Sequence, residues 1–372
     1  MKLPPERPGV ALSIRQRELA FSFFPMKRTE RRWGIHSMLY ASEPWAVVSG
    51  SLTDQIPAES DRRAAQSFVR QAREYFTAAE RADTIESRPL LYYYSFLNLA
   101  KALALARGRP GLVGKVVHGI GQVVRTGFTP ATSEVVMWRS GKDVSALDEL
   151  HCALTGTQVP ARNVPVRELI AQSVAAHRLW CEAANRRERF LAVEHIRLRH
   201  DPKGKSIWAV LQLRADTMRA RGRGLNETLR EAALAPAFHS VITSVDNGIE
   251  YRNFEQTNPV VYGARAADEV MNVVQIVRPL LWQSVTLADP YRRYYTYLSP
   301  TGEIRVPEWL SIYAILFWLG SMSRYQPVEL LDLLDGAYGA FFREFLATQP
   351  SQLLYMLTSE FKSQDVARPA VV

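Results

Sequence analysis

The stretch Pro89-Leu90-Leu91-Tyr92-Tyr93-Tyr94-Ser95-Phe96-Leu97-Asn98-Leu99-Ala100-Lys101-Ala102-Leu103-Ala104-Leu105-Ala106 decides the reading of the fold. Pro89 suits a first helical turn, where its missing N–H is not needed. The residues that follow are apolar on nearly every side, which predicts a helix sunk in a bundle rather than one lying on a surface. Ser95, Asn98 and Lys101 recur at every third position and draw one narrow, drifting polar stripe along it. Two readings of that stripe stay open. Either Ser95 and Asn98 satisfy nearby backbone groups while Lys101 reaches out to water, or the three line a cleft.

Working outward, residues 56–82 place Ala65, Phe68, Ala72, Tyr75, Phe76 and Ala79 on one face of an amphipathic helix. Downstream, Gly108, Pro110 and Gly111 close the buried helix, and 107–135 reads as a loop with one strand around His118-Gly119. A further helix is expected over 166–187. Strand signals follow at 207–213 and at 241–251, where Asp246-Asn247-Gly248 marks a hairpin turn, and a second hairpin is expected over 294–306. Helices over 307–325, 327–348 and 352–361 end the chain. The expected fold class is α+β: a mainly helical bundle at both ends of the chain with a small antiparallel β insert. The expected parts are an N-terminal helical part with the His-Gly loop (1–135), a basic α+β middle (136–305), and C-terminal helices that pack back on the first part (306–372).

The chain has 372 residues, 47% hydrophobic and 22% charged, enough to bury a large core and too apolar for disorder. Its 46 Lys and Arg against 37 Asp and Glu give a formal charge of +9, which favours polyanionic partners. Cys152 and Cys181 are the only cysteines, without a CxxC pair, so no thiolate metal site is expected. No secretory core opens the chain, and the apolar run 309–322 is too short to span a bilayer, so a cytoplasmic protein away from the membrane is expected.

Two blocks carry a family resemblance. The first runs from Arg73-Glu74-Tyr75 through Arg88-Pro89-Leu90-Leu91-Tyr92-Tyr93 to Asn98-Leu99-Ala100-Lys101-Ala102 and closes on His118-Gly119-Ile120. The second is Val306-Pro307-Glu308, then Tyr313, then Leu319-Gly320-Ser321-Met322-Ser323-Arg324-Tyr325 and Glu329-Leu330-Leu331. In order and spacing they resemble the bacterial YaaC-like family across about 260 residues. The chain departs from the family pattern after Arg324-Tyr325, where an acidic residue and tryptophans give way to Gln326-Pro327-Val328. The resemblance implies kinship and no particular reaction.

No phosphate-cradling GxxxxGK[ST], HExxH or GxSxG occurs, and Gly119 and Gly121 lack the third glycine of a dinucleotide fingerprint. No metal site and no cofactor is therefore expected. Asp246, Glu250 and Arg252 faintly suggest a nuclease, but the Asn-Gly turn explains them better. His118 and Arg125 are the candidate catalytic pair, because an imidazole beside a guanidinium can pass protons and hold a phosphate without a metal. The Arg31/His36 and Arg189/His195 spacings resemble the Arg–His pair of the helical HEPN ribonucleases, by analogy only. Arg324 ends an apolar helix. It either pairs with a core carboxylate such as Glu308 or Asp332, or joins Asn98, Lys101 and His118 in binding an anion. Arg214, Arg219, Arg221 and Arg223 crowd a Gly-rich stretch, with Trp208 as an aromatic face for a base. These readings predict an RNA- or single-stranded-DNA-associated protein, with metal-independent cleavage as an extension. The alternatives are a small-anion enzyme and a helical interaction protein that self-associates or binds a partner through Tyr291, Tyr294, Tyr295, Tyr297 and Trp309.

Overall fold

The computed structural model describes residues 3–28, 33–35, 37–125, 127–139, 141–263 and 266–370. They form two compact units, one of residues 1–40, 187–305 and 363–372, the other of residues 41–186 and 306–362.

The first unit overturns the expectation of a small β insert in a mainly helical chain. Of the described residues 45% are helical and 23% strand, and their principal sheet is antiparallel with eight strands. Six run in the order Phe238–Asp246, Ile249–Gln256, Ser206–Arg214, Phe190–Asp201, Arg292–Tyr297 and Trp282–Val285. Val10–Ala11 pairs with the fourth and Val260–Val261 with the third. The physical reason lies in Phe190–Asp201. Leu191, Val193, Ile196 and Leu198 turn to the core, while Glu194, His195, Arg197 and Arg199 alternate with them. A bulge between Val193 and His195 shifts the phase of this alternation, so the sequence shows no continuous period-two pattern, and the charge of the outward residues hides the strand further.

The hairpin at Asn247-Gly248 forms as expected. Both residues take positive φ (50° and 78°), so the two-residue turn matches the twist of the flanking strands. The expected hairpin over 294–306 does not form. Arg292–Tyr297 pairs instead with Trp282–Val285 and with Phe190–Val193. Leu12, Ile207, Leu211, Phe254 and the Val270, Val273 and Val277 side of helix Ala266–Val277 make the unit's core.

The second unit is built on helix Arg88–Ala106, which has 14 of its 19 residues buried. It packs against Glu59–Arg81 on one side and Glu308–Tyr325 on another. Burial of this kind contributes about 1.5–3 kcal/mol for each large apolar side chain, before entropy is counted. The close approach of Glu308–Tyr325 depends on Gly320, where a Cβ would lie 3.2 Å from Leu90 Cα and 3.3 Å from the Pro89 carbonyl oxygen. The helix expected over 166–187 is broken into Val166–Ala171 and His177–Ala184, and the last two expected helices are redrawn as Pro327–Asp335 and Gly339–Lys362. The stretch expected as loop holds the strand Ile120–Val124, paired with Ser133–Met137, which pairs in turn with Arg162–Pro165.

Candidate functional site

Within the second unit, the face of helix Arg88–Ala106 that carries Tyr94, Asn98 and Lys101 is set by their i, i+4, i+7 spacing. Ser95 faces elsewhere and donates its hydroxyl to the Ala72 carbonyl at 2.7 Å, as the structural reading of the polar stripe expects. Asn98 behaves differently. It is 7% exposed, and its amide takes part in no hydrogen bond among the described residues. Lys101 is half-buried, its ammonium 5.3 Å from the Phe68 ring centroid, and burial lowers its pKa.

His118 reaches the same helix from the short segment after strand Val116–Val117. Its backbone is fixed on both sides: its carbonyl accepts from Leu147 N–H at 3.2 Å, and that of Gly119 accepts from Trp138 N–H at 3.2 Å. Gly119 sits at φ 75°, and a Cβ there would run into Ser145 Oγ. That oxygen accepts from Asp148 N–H at 3.2 Å and caps helix Ala146–Thr155. The His-Gly pair is therefore a packing requirement: only glycine admits the cap while giving the backbone its left-handed turn. The imidazole Nδ1 and the Tyr93 hydroxyl share a hydrogen bond of 2.8 Å. Burial first, and then the positive charges of Lys101 and Arg324, hold the His118 pKa below its ordinary value. Burial and the neighbouring Tyr313 keep the Tyr93 phenol well above its own. Both shifts favour the neutral form.

Arg324 completes the group from the end of helix Glu308–Tyr325. Its guanidinium donates to the Tyr94 hydroxyl at 2.5 Å, bonds the Tyr325 hydroxyl, and lies 4.4 Å from the Tyr325 ring centroid. Tyr94 also stands 6.5 Å from His118, ring to ring. Neither Lys101 nor Arg324 forms an ion pair among the described residues, so the core partners Glu308 and Asp332 expected of Arg324 are not used. Two positive charges thus act on one imidazole, and neither is ion-paired to a carboxylate among the described residues. The aromatic residues around them, Tyr93, Tyr94, Phe68, Phe317 and Tyr325, were not singled out as site residues from the sequence. The run of three tyrosines in a buried helix is the available signal, since each hydroxyl needs a partner.

The remaining candidates lie elsewhere. Arg125 donates to Glu134 at 2.8 Å across the Ile120–Val124 and Ser133–Met137 pair, so it is engaged there and not with His118. In the sheet unit, Arg214 bonds Asp216 at 2.5 Å, Arg219 bonds Glu250 at 2.8 Å, Arg221 bonds Glu188, and Arg223 pairs with Glu231 at 3.0 Å. Trp208 is fully buried, with the Arg7 guanidinium 5.1 Å from its ring centroid. Arg189 is tied to Glu303 at 2.7 Å and His195 sits in strand Phe190–Asp201, while Arg31 and His36 lie outside the described residues. Tyr297 and Trp309 are buried. A depression of about 340 Å³ in the second unit, lined by Phe128, Pro130, Leu333 and Tyr338 among others, shares no side chain with the Lys101, His118 and Arg324 group. Among the described residues no group of three His, Cys, Asp or Glu could hold a metal ion, and no helix is long and apolar enough to cross a membrane.

A mixed α/β protein with a cationic, tyrosine-walled group in its helical unit is the class that fold and site define. The chain belongs to the YaaC-like protein family, whose model matches residues 39–361 and so takes in Asn98, Lys101, His118 and Arg324. No curated protein and no solved structure matches it.

Proposed function

We propose that the helical unit of this YaaC-like protein binds a small anion at Lys101, His118 and Arg324, with Asn98 beside them. One observation carries the reading: two cations that form no ion pair among the described residues lie around one imidazole, Arg324 bonded to the Tyr94 hydroxyl whose ring stands 6.5 Å from His118 and Lys101 on the same helix face as Tyr94. Lys101 is half-buried and Arg324 is open to solvent beside it on the aromatic wall, and a bound phosphate or carboxylate would pair with both. His118, oriented by Tyr93, is the group placed to give or take a proton from the ligand, so any enzymatic step belongs there. Cys152 and Cys181 form no disulfide, which suits the expected cytoplasmic setting.

The test follows the His118 imidazole by NMR across pH. The free protein is expected to titrate below the ordinary histidine value of about 6.5. Millimolar inorganic phosphate is expected to raise that midpoint, because an anion beside the ring favours its charged form. The sign for stability follows: folded His118 holds its proton less readily than the unfolded chain does. Its contribution to stability therefore rises with pH from its lowered pKa up to about 6.5 and is level above that. A midpoint that phosphate leaves unmoved overturns the anion reading.

Association with RNA or single-stranded DNA is the second reading, supported by the net charge of +9. The carboxylate partners of Arg219, Arg221 and Arg223 count against it, since each pair must open before a phosphate can take its place. Charge reversal at these three positions is expected to leave the salt dependence of oligonucleotide binding unchanged. A lower salt slope would put the interface there after all.

A further inference from the structure

We infer that the anion bound at Lys101 and Arg324 is the phosphate of a mononucleotide, whose base stacks on the tyrosines beside it. The inference rests on the anion-site reading and narrows it by three observations.

The first is charge. Lys101 and Arg324 together supply two positive charges, with no carboxylate among the described residues paired to either. A phosphate monoester carries about −1.5 to −2 at pH 7 and matches both, whereas a single carboxylate leaves one cation uncompensated.

The second is the wall. Tyr75 of helix Glu59–Arg81 lies 5.7 Å from Tyr94, ring to ring, and the two planes are tilted by only 32°. Tyr75 is 37% exposed and Tyr325 is 61% exposed, so both present aromatic surface to solvent next to the cations rather than filling core. A flat base has a place to lie, whichever base it is, because every base offers a π face.

The third is Asn98. A side-chain amide offers a donor and an acceptor side by side, the pattern that reads a base edge or a sugar hydroxyl, and this one makes no hydrogen bond among the described residues. It stands between Tyr94 and Lys101 on one helix face that extends roughly 10 Å along the axis. A base at the tyrosines and a phosphate near His118 fit along that face with Asn98 between them.

Calorimetric titration of the full chain tests this with adenosine 5′-monophosphate, ribose 5-phosphate, inorganic phosphate and benzoate as probes. The nucleotide is expected to bind at least about tenfold more tightly than ribose 5-phosphate, the gain that stacking of one base supplies. Tyr75→Ala, at a half-exposed position that leaves the core intact, is expected to remove most of that gain and leave phosphate binding unchanged. Ribose 5-phosphate binding as tightly as the nucleotide, or benzoate binding better than phosphate, overturns the nucleotide assignment while leaving an anion site in place. If neither the nucleotide nor phosphate binds, both readings fall.

Discussion

Arg324→Ala is expected to weaken phosphate binding by about 10- to 100-fold while leaving the unfolding transition in place. The expected loss is that of a charge-assisted hydrogen bond, about 1.5–3 kcal/mol. Stability is spared because Arg324 is exposed and bonds only the hydroxyls of Tyr94 and Tyr325, which reach solvent without it. Arg324→Lys keeps the charge but loses the planar fork, so an intermediate affinity is expected. Titration calorimetry for binding and urea denaturation for stability separate the two effects. A large loss of stability in Arg324→Ala would mean that the residue is structural and that the cationic group is a by-product of packing.

Gly119→Val acts in the opposite sense, on the fold first and on the site through it. At φ 75° a β-branched residue is strained, and its side chain meets Ser145 Oγ, the cap of helix Ala146–Thr155. The expected cost is about 2–4 kcal/mol, combining left-handed strain with the lost cap. Ser145→Ala removes the cap alone and is expected to cost only about 0.5–2 kcal/mol. Denaturant unfolding compares the two. Because the same backbone turn presents His118 to Tyr93, the low His118 midpoint is expected to drift back toward the ordinary histidine value in Gly119→Val and to stay low in Ser145→Ala. Equal costs for the two substitutions would refute the account of Gly119.

Helices Glu59–Arg81, Arg88–Ala106 and Glu308–Tyr325 were legible in the sequence because their apolar periodicity is strong and their ends are punctuated by proline or glycine. The sheet was not. Phe190–Asp201 spends its outward positions on Glu194, His195, Arg197 and Arg199, so its sequence carries no clear strand signal. Ser206–Arg214 was visible as a strand, but its partners Phe190–Asp201 and Ile249–Gln256 are fixed by tertiary pairing that no local pattern states. The sequence groups Lys101, His118 and Arg324 as one possible anion site, alongside the alternative of a core ion pair for Arg324. Their neighbours Tyr94 and Tyr75 were read as core because tyrosine is apolar enough to complete a helix face, and only the packed helices bring their hydroxyls and rings to the cations. The arginines of the Gly-rich stretch were overvalued for the complementary reason. Glu188, Glu231 and Glu250, which neutralise them, are adjacent only after the chain has folded.

The interleaving of the two units also has a consequence during synthesis. Helix Arg88–Ala106 leaves the ribosome about two hundred residues before Glu308–Tyr325, the helix that closes over one of its sides. At roughly 5–20 residues per second, that apolar flank waits about 10–40 s for its cover, while residues 187–305 of the sheet unit are being made. Over that interval the nascent chain presents Tyr93, which later packs on Tyr313 and Phe317, to its surroundings, a target for chaperones. The helical unit can therefore finish folding only after residues 187–305 of the sheet unit have been translated, although most of it is made before them.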